Sequence, residues 1–132
     1  MVSLYFKNWI VVSNLLRLIE HSICLIQERT SMIAAPDDFA SSLSGMEKLD
    51  AVCMQLIAIG ESVKKLDKLL EEKLAEYEPT IPWQSIKSVR NFIAHDYFDI
   101  DVEEIYHIIK YDLQPLLEAV RRLQAMQTGY VN

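Results

Sequence analysis

Seven apolar residues, Leu49, Val52, Leu56, Ile59, Val63, Leu66 and Leu70, recur at alternating spacings of three and four. A stripe kept up this long admits one kind of element. It is a helix that buries a single seam and packs on its neighbours at shallow angles, as in a bundle. Gly60 interrupts the stripe. A glycine inside a helix costs about 1 kcal/mol relative to alanine, so a return is expected, and close approach of another backbone is the simplest one. The opposite face carries Lys64, Lys65, Lys68, Glu71, Glu72 and Lys73. It reads as a solvated face with i,i+4 pairs such as Glu61–Lys65 and Lys68–Glu72.

The rest of the chain repeats the pattern. Apolar positions 12, 16, 19, 23 and 26 predict a first helix from about Leu4 to about Thr30. TSMIAAPDDFASSLSG then reads as a connection, with one short helical turn at Asp37–Ala40. EPTIPW ends the second helix, because two prolines in four residues forbid its continuation. A third helix follows, with Trp83, Ile86, Val89 and Ile93 on its inner stripe. Asp101 is a good N-cap for a fourth, with Glu104 placed as capping-box partner. That helix buries Val102, Ile105, Ile109, Leu113, Leu116, Val120 and Leu123. Pro115 predicts a kink in it rather than a stop, since the stripe resumes in phase. The tail, about 127–132, is expected to fray. The reading is all-α: an antiparallel four-helix bundle with room for a short fifth helix, forming one domain over residues 1–132.

Composition narrows the function classes. At 51% hydrophobic and 24% charged residues, 132 residues can bury a core without staples. The net charge of −6 argues against coating nucleic acid through bulk electrostatics, but leaves room for a local basic cleft. Cys24 and Cys53 form no C-x-x-C and read as buried thiols in a reducing cytoplasm. No signal-peptide pattern and no run of about 20 apolar residues is present, so no membrane helix is expected. His21, His95 and His107 lack metal-ligand spacing, so no metal and no cofactor is expected. His21 and His107 read as boundary residues on amphipathic helices. No phosphate-cradling glycine loop and no nucleophile elbow is found.

The polar chemistry gathers in RNFIAHDY, residues 90 to 97. On a helix, Asn91 and His95 fall on one face, while Arg90 and His95 diverge by about 140°. One helix therefore does not aim both at one small ligand, whereas two copies meeting across a twofold axis can. The residue types suit phosphodiester chemistry. Histidine gives and takes a proton near neutral pH. Arginine holds phosphate by two parallel hydrogen bonds. RNA brings its own nucleophile, the 2′-hydroxyl, so cleavage needs only proton transfer, charge stabilisation and positioning. The bland alternative has His95 and Asp96 capping the helix and Arg90 paired with an acidic neighbour. Phe92 and Ile93 are read as the anchors of this helix.

Arg90, His95 and Tyr97 also complete an R-x-x-x-x-H-x-Y motif. With AIGESVKKL (58–66) and IPWQSIKSVRNFIAHDYFDID (81–101), the chain resembles HEPN-domain proteins of the HepT type, toxins of type VII HepT/MntA-like toxin–antitoxin pairs. The likeness is good from about Asp50 to Leu117. It implies a homodimer, with further association open, whose motif helices face each other across a cleft. It implies a metal-independent endoribonuclease with Arg90 on the scissile phosphate and His95 as general acid or base. Asn91 and Asp96 would support them, and Lys87 would add to the RNA-binding charge. The implied partner is a nucleotidyltransferase antitoxin able to transfer AMP to Tyr97. The rival reading is a non-catalytic helical dimer that binds nucleotide or such a nucleotidyltransferase.

Overall fold

The computed structural model describes residues 8–95 and 99–131, apart from the side chains of His95 and residues 128–131. All of its regular structure there is helical. The elements are α1 (Trp9–Arg29), a 3-10 turn (Pro36–Phe39), α2 (Leu43–Leu69), α3 (Leu74–Tyr77), α4 (Trp83–Lys87), α5 (Val89–His95), α6 (Val102–His107), a π segment (Ile108–Asp112) and α7 (Leu113–Val131).

Each stripe expected from spacing faces the core, with Ile86, Val89, Val102 and Ile109 half-buried against it. Val12, Leu16, Ile19, Ile23 and Ile26 of α1 are buried, as are Val52 to Leu70 of the second stripe, with Leu49 half-buried. Leu113, Leu116, Val120 and Leu123 complete the core from α7. The long helices α1 and α7 run antiparallel. Gln27 meets Gln114 near one end, Arg121 meets Glu20 in the middle, and the Gln127 amide donates to the Trp9 carbonyl at 2.9 Å. That last bond ties down Gln127, where the sequence expects fraying to begin. Gln127 is buried and fixed, and the helix runs on to Val131.

The connection is built tightly. The short turn expected at Asp37–Ala40 is the 3-10 turn Pro36–Phe39. Asp38 Oδ2 accepts from the backbone N–H groups of Ala34 and Ala35, and Phe39 is fully buried. The Ser42 hydroxyl oxygen caps α2 by accepting from Gly45 N–H. Gly45 is needed here, since a Cβ on it would lie 2.0 Å from the Asp38 carbonyl oxygen.

Two expectations change. The third helix is not continuous: it breaks at Ser88 into α4 and α5. Ile86 and Val89, on either side of the break, both press on Gly60 of α2, so the bend folds the two pieces onto one glycine. Pro115 does not stop the helix, which runs through it from Leu113 to Val131. One turn earlier, Ile108–Asp112 widens to a π turn and Leu113 N–H reaches back to the Ile108 carbonyl. Proline lacks an N–H and its ring crowds the carbonyl four residues back, here that of Tyr111, so widening this turn relieves both. Finally, Trp9–Arg29 is long and apolar enough by length and composition to cross a membrane. It passes because apolar residues sit on both faces, Ile10, Val11 and Leu18 being exposed opposite the buried stripe. Arg17 and Glu20 interrupt it, and Glu20 is bonded to Arg121 and Gln124 of α7.

The return on Gly60 is the expected one. A Cβ there would meet the Ile86 carbonyl oxygen at 2.7 Å and Val89 Cγ1 at 3.0 Å. Gly60→Ala therefore gains about 1 kcal/mol of helix propensity but must push backbone away. Overpacking of this kind costs about 1–3 kcal/mol. The expected result is a net loss of stability, read as a lower denaturant midpoint with an unchanged m-value.

Candidate active site

The motif helix is seated from three sides. Ile93 is 1% exposed and anchors α5 in the core. Gly60 lets α2 approach the α4–α5 bend. Before the bend, the corner is tied down twice, the Trp83 indole N–H donating to the Glu78 carbonyl at 2.9 Å and Arg122 holding the Glu78 carboxylate through two nitrogens. Phe92 is not the anchor expected beside Ile93. It is 43% exposed and lines a groove of about 560 Å³ between the α4–α5 bend and α6 with the π segment. The floor of that groove is apolar, with Leu56, Ile59 and Leu116, and its rim carries Asp101, Glu104, His107 and Asp112. His107 is exposed and its ring lies 4.9 Å from that of Tyr111.

Arg90 and Asn91 do not line this groove. Both are exposed on α5 and project to solvent, Arg90 with a side chain 63% exposed. Among the described residues its counter-charge is Glu61, at 3.6 Å. The bland reading of Arg90 as partner of an acidic neighbour is thus realised in part. An exposed pair of this kind contributes about 0–1 kcal/mol, which leaves the guanidinium available to a phosphate. Spacing did not single out Glu61 for this role. It pairs with Lys64 and Arg90, where the sequence suggested Lys65, because α5 lies across its side of α2. The α5 backbone carries His95 at its last position. The His95 side chain, and all of Asp96 and Tyr97, lie outside the described residues.

Lys87 is placed otherwise than its expected RNA-binding role suggests. Its ammonium is bonded to the Asp67 carboxylate and lies 3.6 Å from Glu72. Asp67, which the heptad reading left out, is 5% exposed, and its other carboxylate oxygen accepts from Leu74 N–H at 3.0 Å. Burial alone would raise the Asp67 carboxyl, but the Lys87 ammonium and the Leu74 N–H outweigh it and hold it below its ordinary 3.8. The Lys87 ammonium is held above its ordinary 10.5, chiefly by the bond to Asp67. The signs give a window. Asp67 adds stability above pH 3.8 that is lost as pH falls through its lower folded value. Lys87 adds stability below pH 10.5 that is lost as pH rises through its higher folded value. The thermal midpoint gap between wild type and Asp67→Asn is therefore expected to be flat across neutral pH and to close in acid.

Cys53 is buried and its thiol is pushed up to about 11, first by burial and then by Asp50. It is poorly suited to act as a nucleophile.

Comparison with known proteins settles the family. The family model described as "Ribonuclease HepT-like" matches residues 11–123. The chain belongs to the HepT-like ribonuclease family. As a HepT-like chain it is 30% identical over 102 residues to the "Gamma-glutamylcyclotransferase and putative RNase" of Methanocaldococcus jannaschii. That alignment covers 77% of this chain and 42% of the relative. It is 28% identical over 106 residues to the "Probable ribonuclease HepT" of Thermococcus cleftensis, covering 80% of this chain and 89% of that one. The chain spans less than two-thirds of the length of the first several relatives it matches. No solved structure matches significantly.

Proposed function

We propose that this HepT-like chain is a metal-independent endoribonuclease toxin that cleaves RNA in a cleft completed by a second copy of itself. Membership of a ribonuclease family makes RNA cleavage the reaction class. The observation that carries the reading is the setting of Arg90. It stands exposed on a firmly seated helix, loosely held by Glu61, and outside the groove of its own chain. A cation so placed is poised for a phosphate, and the missing wall is what a dimer would supply.

The chemistry follows from the RNA. The 2′-oxygen attacks phosphorus, its proton passes to a base, and the bond from phosphorus to the 5′-oxygen breaks as that oxygen gains a proton. His95 serves one of these transfers, and the partner copy's histidine at the same position is available for the other. Arg90 takes up the charge that builds on the phosphoryl oxygens. Asn91 orients the substrate or His95, with Asp96 in support. Silencing is assigned to a nucleotidyltransferase antitoxin that transfers AMP from ATP to the Tyr97 hydroxyl, releasing pyrophosphate. The adenylate would compete with RNA phosphate for Arg90. Both proteins would act in the cytoplasm.

Purified protein incubated with RNA in excess chelator is expected to cut it. Protein that binds RNA or nucleotide without ever cutting would replace this reading with a non-catalytic binding dimer. A mass shift of one AMP on the Tyr97 peptide, after incubation with the antitoxin and ATP, is expected. An unmodified peptide removes the regulatory step.

A further inference from the structure

We infer that the Asp67–Lys87 pair is a positioning device that fixes the register of the motif helix α5 on α2; its catalytic consequence rests on the ribonuclease reading above. A carboxylate as enclosed as Asp67 is costly to bury, and a well-packed apolar pair in its place is often as stable or more so. Stability alone therefore does not account for the pair. Its bonds do. One Asp67 oxygen holds Leu74 N–H at the start of α3, and the other holds Lys87, the last residue of α4. Lys87 also reaches Glu72. Three consecutive pieces of chain are thus tied to one carboxylate.

The turn between α2 and α3 is part of the arrangement. Glu71 and Glu72 both sit in the left-handed region, at φ 57° and 61°. For non-glycine residues this conformation is unfavourable. The turn is kept by the bond from Glu72 N–H to the Asp67 carbonyl at 2.8 Å and by the Leu74 bond to the Asp67 side chain. It brings the Glu72 carboxylate within reach of Lys87.

Lys87 stands three residues before Arg90, directly before the break at Ser88. Helix α5 has only seven residues, too few to hold its own conformation in water. Its placement depends on what it touches. Gly60 allows close approach but offers no side chain of its own, and Val89 and Ile93 hold α5 by apolar contact, which has no direction. The ion pair is directional, and it supplies the missing constraint at the end of α4. Released from it, α5 keeps its burial but loses the aim of Arg90 and His95.

The test uses the double variant Asp67→Asn/Lys87→Met in the full chain. It leaves no buried charge unpaired, the carbonyl oxygen of the new amide still accepts from Leu74 N–H, and the methionine keeps the aliphatic stem. The thermal midpoint is therefore expected to stay near wild type. Hydrogen exchange of the Val89–Ile93 amides is expected to rise about tenfold, as loss of one charged hydrogen bond implies, with α1 and α7 unchanged. On RNA, kcat is expected to fall by a similar factor with KM unchanged, and Lys87→Arg alone to retain wild-type kcat. A double variant with wild-type exchange in α5, or with exchange raised equally in every helix, overturns the inference. So does Lys87→Met that raises KM and flattens the salt dependence of RNA binding while Asp67→Asn does neither, since that is a phosphate contact. If wild-type protein does not cut RNA, the ribonuclease reading fails, and the exchange measurement alone decides whether the pair sets α5.

Discussion

His95→Ala is expected to abolish RNA cleavage, lowering the rate by about 10²–10⁴, the usual contribution of a positioned acid or base. RNA binding should persist, because the phosphate-holding charge is untouched. The fold should persist as well. The core that holds α5 comes from Ile93 and from the Gly60 contact, both upstream of this last helical position. Single-turnover cleavage, gel-shift affinity and thermal midpoint separate these effects. Cleavage kept within a fewfold of wild type would remove His95 from the chemistry.

Arg90→Ala is expected to act on both binding and rate. Removing a donor aimed at developing charge costs about 10²–10³ in kcat. Losing one phosphate contact also weakens RNA binding and lowers the salt slope by about 1. Arg90→Lys should recover the charge and part of the binding but little of the rate, because an ammonium does not reproduce the two-pronged grip of a guanidinium. Glu61→Gln serves as the control. It removes the carboxylate 3.6 Å from Arg90 and should leave cleavage intact or slightly raised, since an exposed pair contributes so little. If Arg90→Ala reduced stability by several kcal/mol and left kcat unchanged, Arg90 would be a structural partner of Glu61 and nothing more.

The core was legible because it follows from one-dimensional spacing. Leu49 to Leu70, positions 12 to 26 of α1 and the α7 stripe needed only the helical period. Gly60 was legible as well, since an unexplained helix breaker asks for a close neighbour, and Asp101 declared itself as a cap, accepting from Glu103 and Glu104 N–H. What stayed hidden depends on the third dimension. Asp67 falls between two stripe residues, and only the fold brings Lys87 and Leu74 to it. The break at Ser88 has no proline or glycine of its own and lies where Ile86 and Val89 meet Gly60 of the neighbouring helix. The π turn lies a full turn before the proline that accounts for it. Phe92 reads as core from its type, yet faces a groove. At the site, Arg90 and Asn91 were placed on one helix by sequence, while the loosely held state of Arg90 needed α2 beside it.

In the proposed reaction the 2′-hydroxyl of the RNA attacks, and the protein supplies the proton transfers and the charge. The most direct measurement is the chemistry of the cut ends, from a short RNA incubated with purified protein in excess chelator. The expected products carry 2′,3′-cyclic phosphate and 5′-hydroxyl ends, with no cut where the nucleotide before the scissile bond lacks its 2′-hydroxyl. Ends bearing 5′-phosphate and 3′-hydroxyl, or cleavage that continues at that deoxynucleotide, would contradict it.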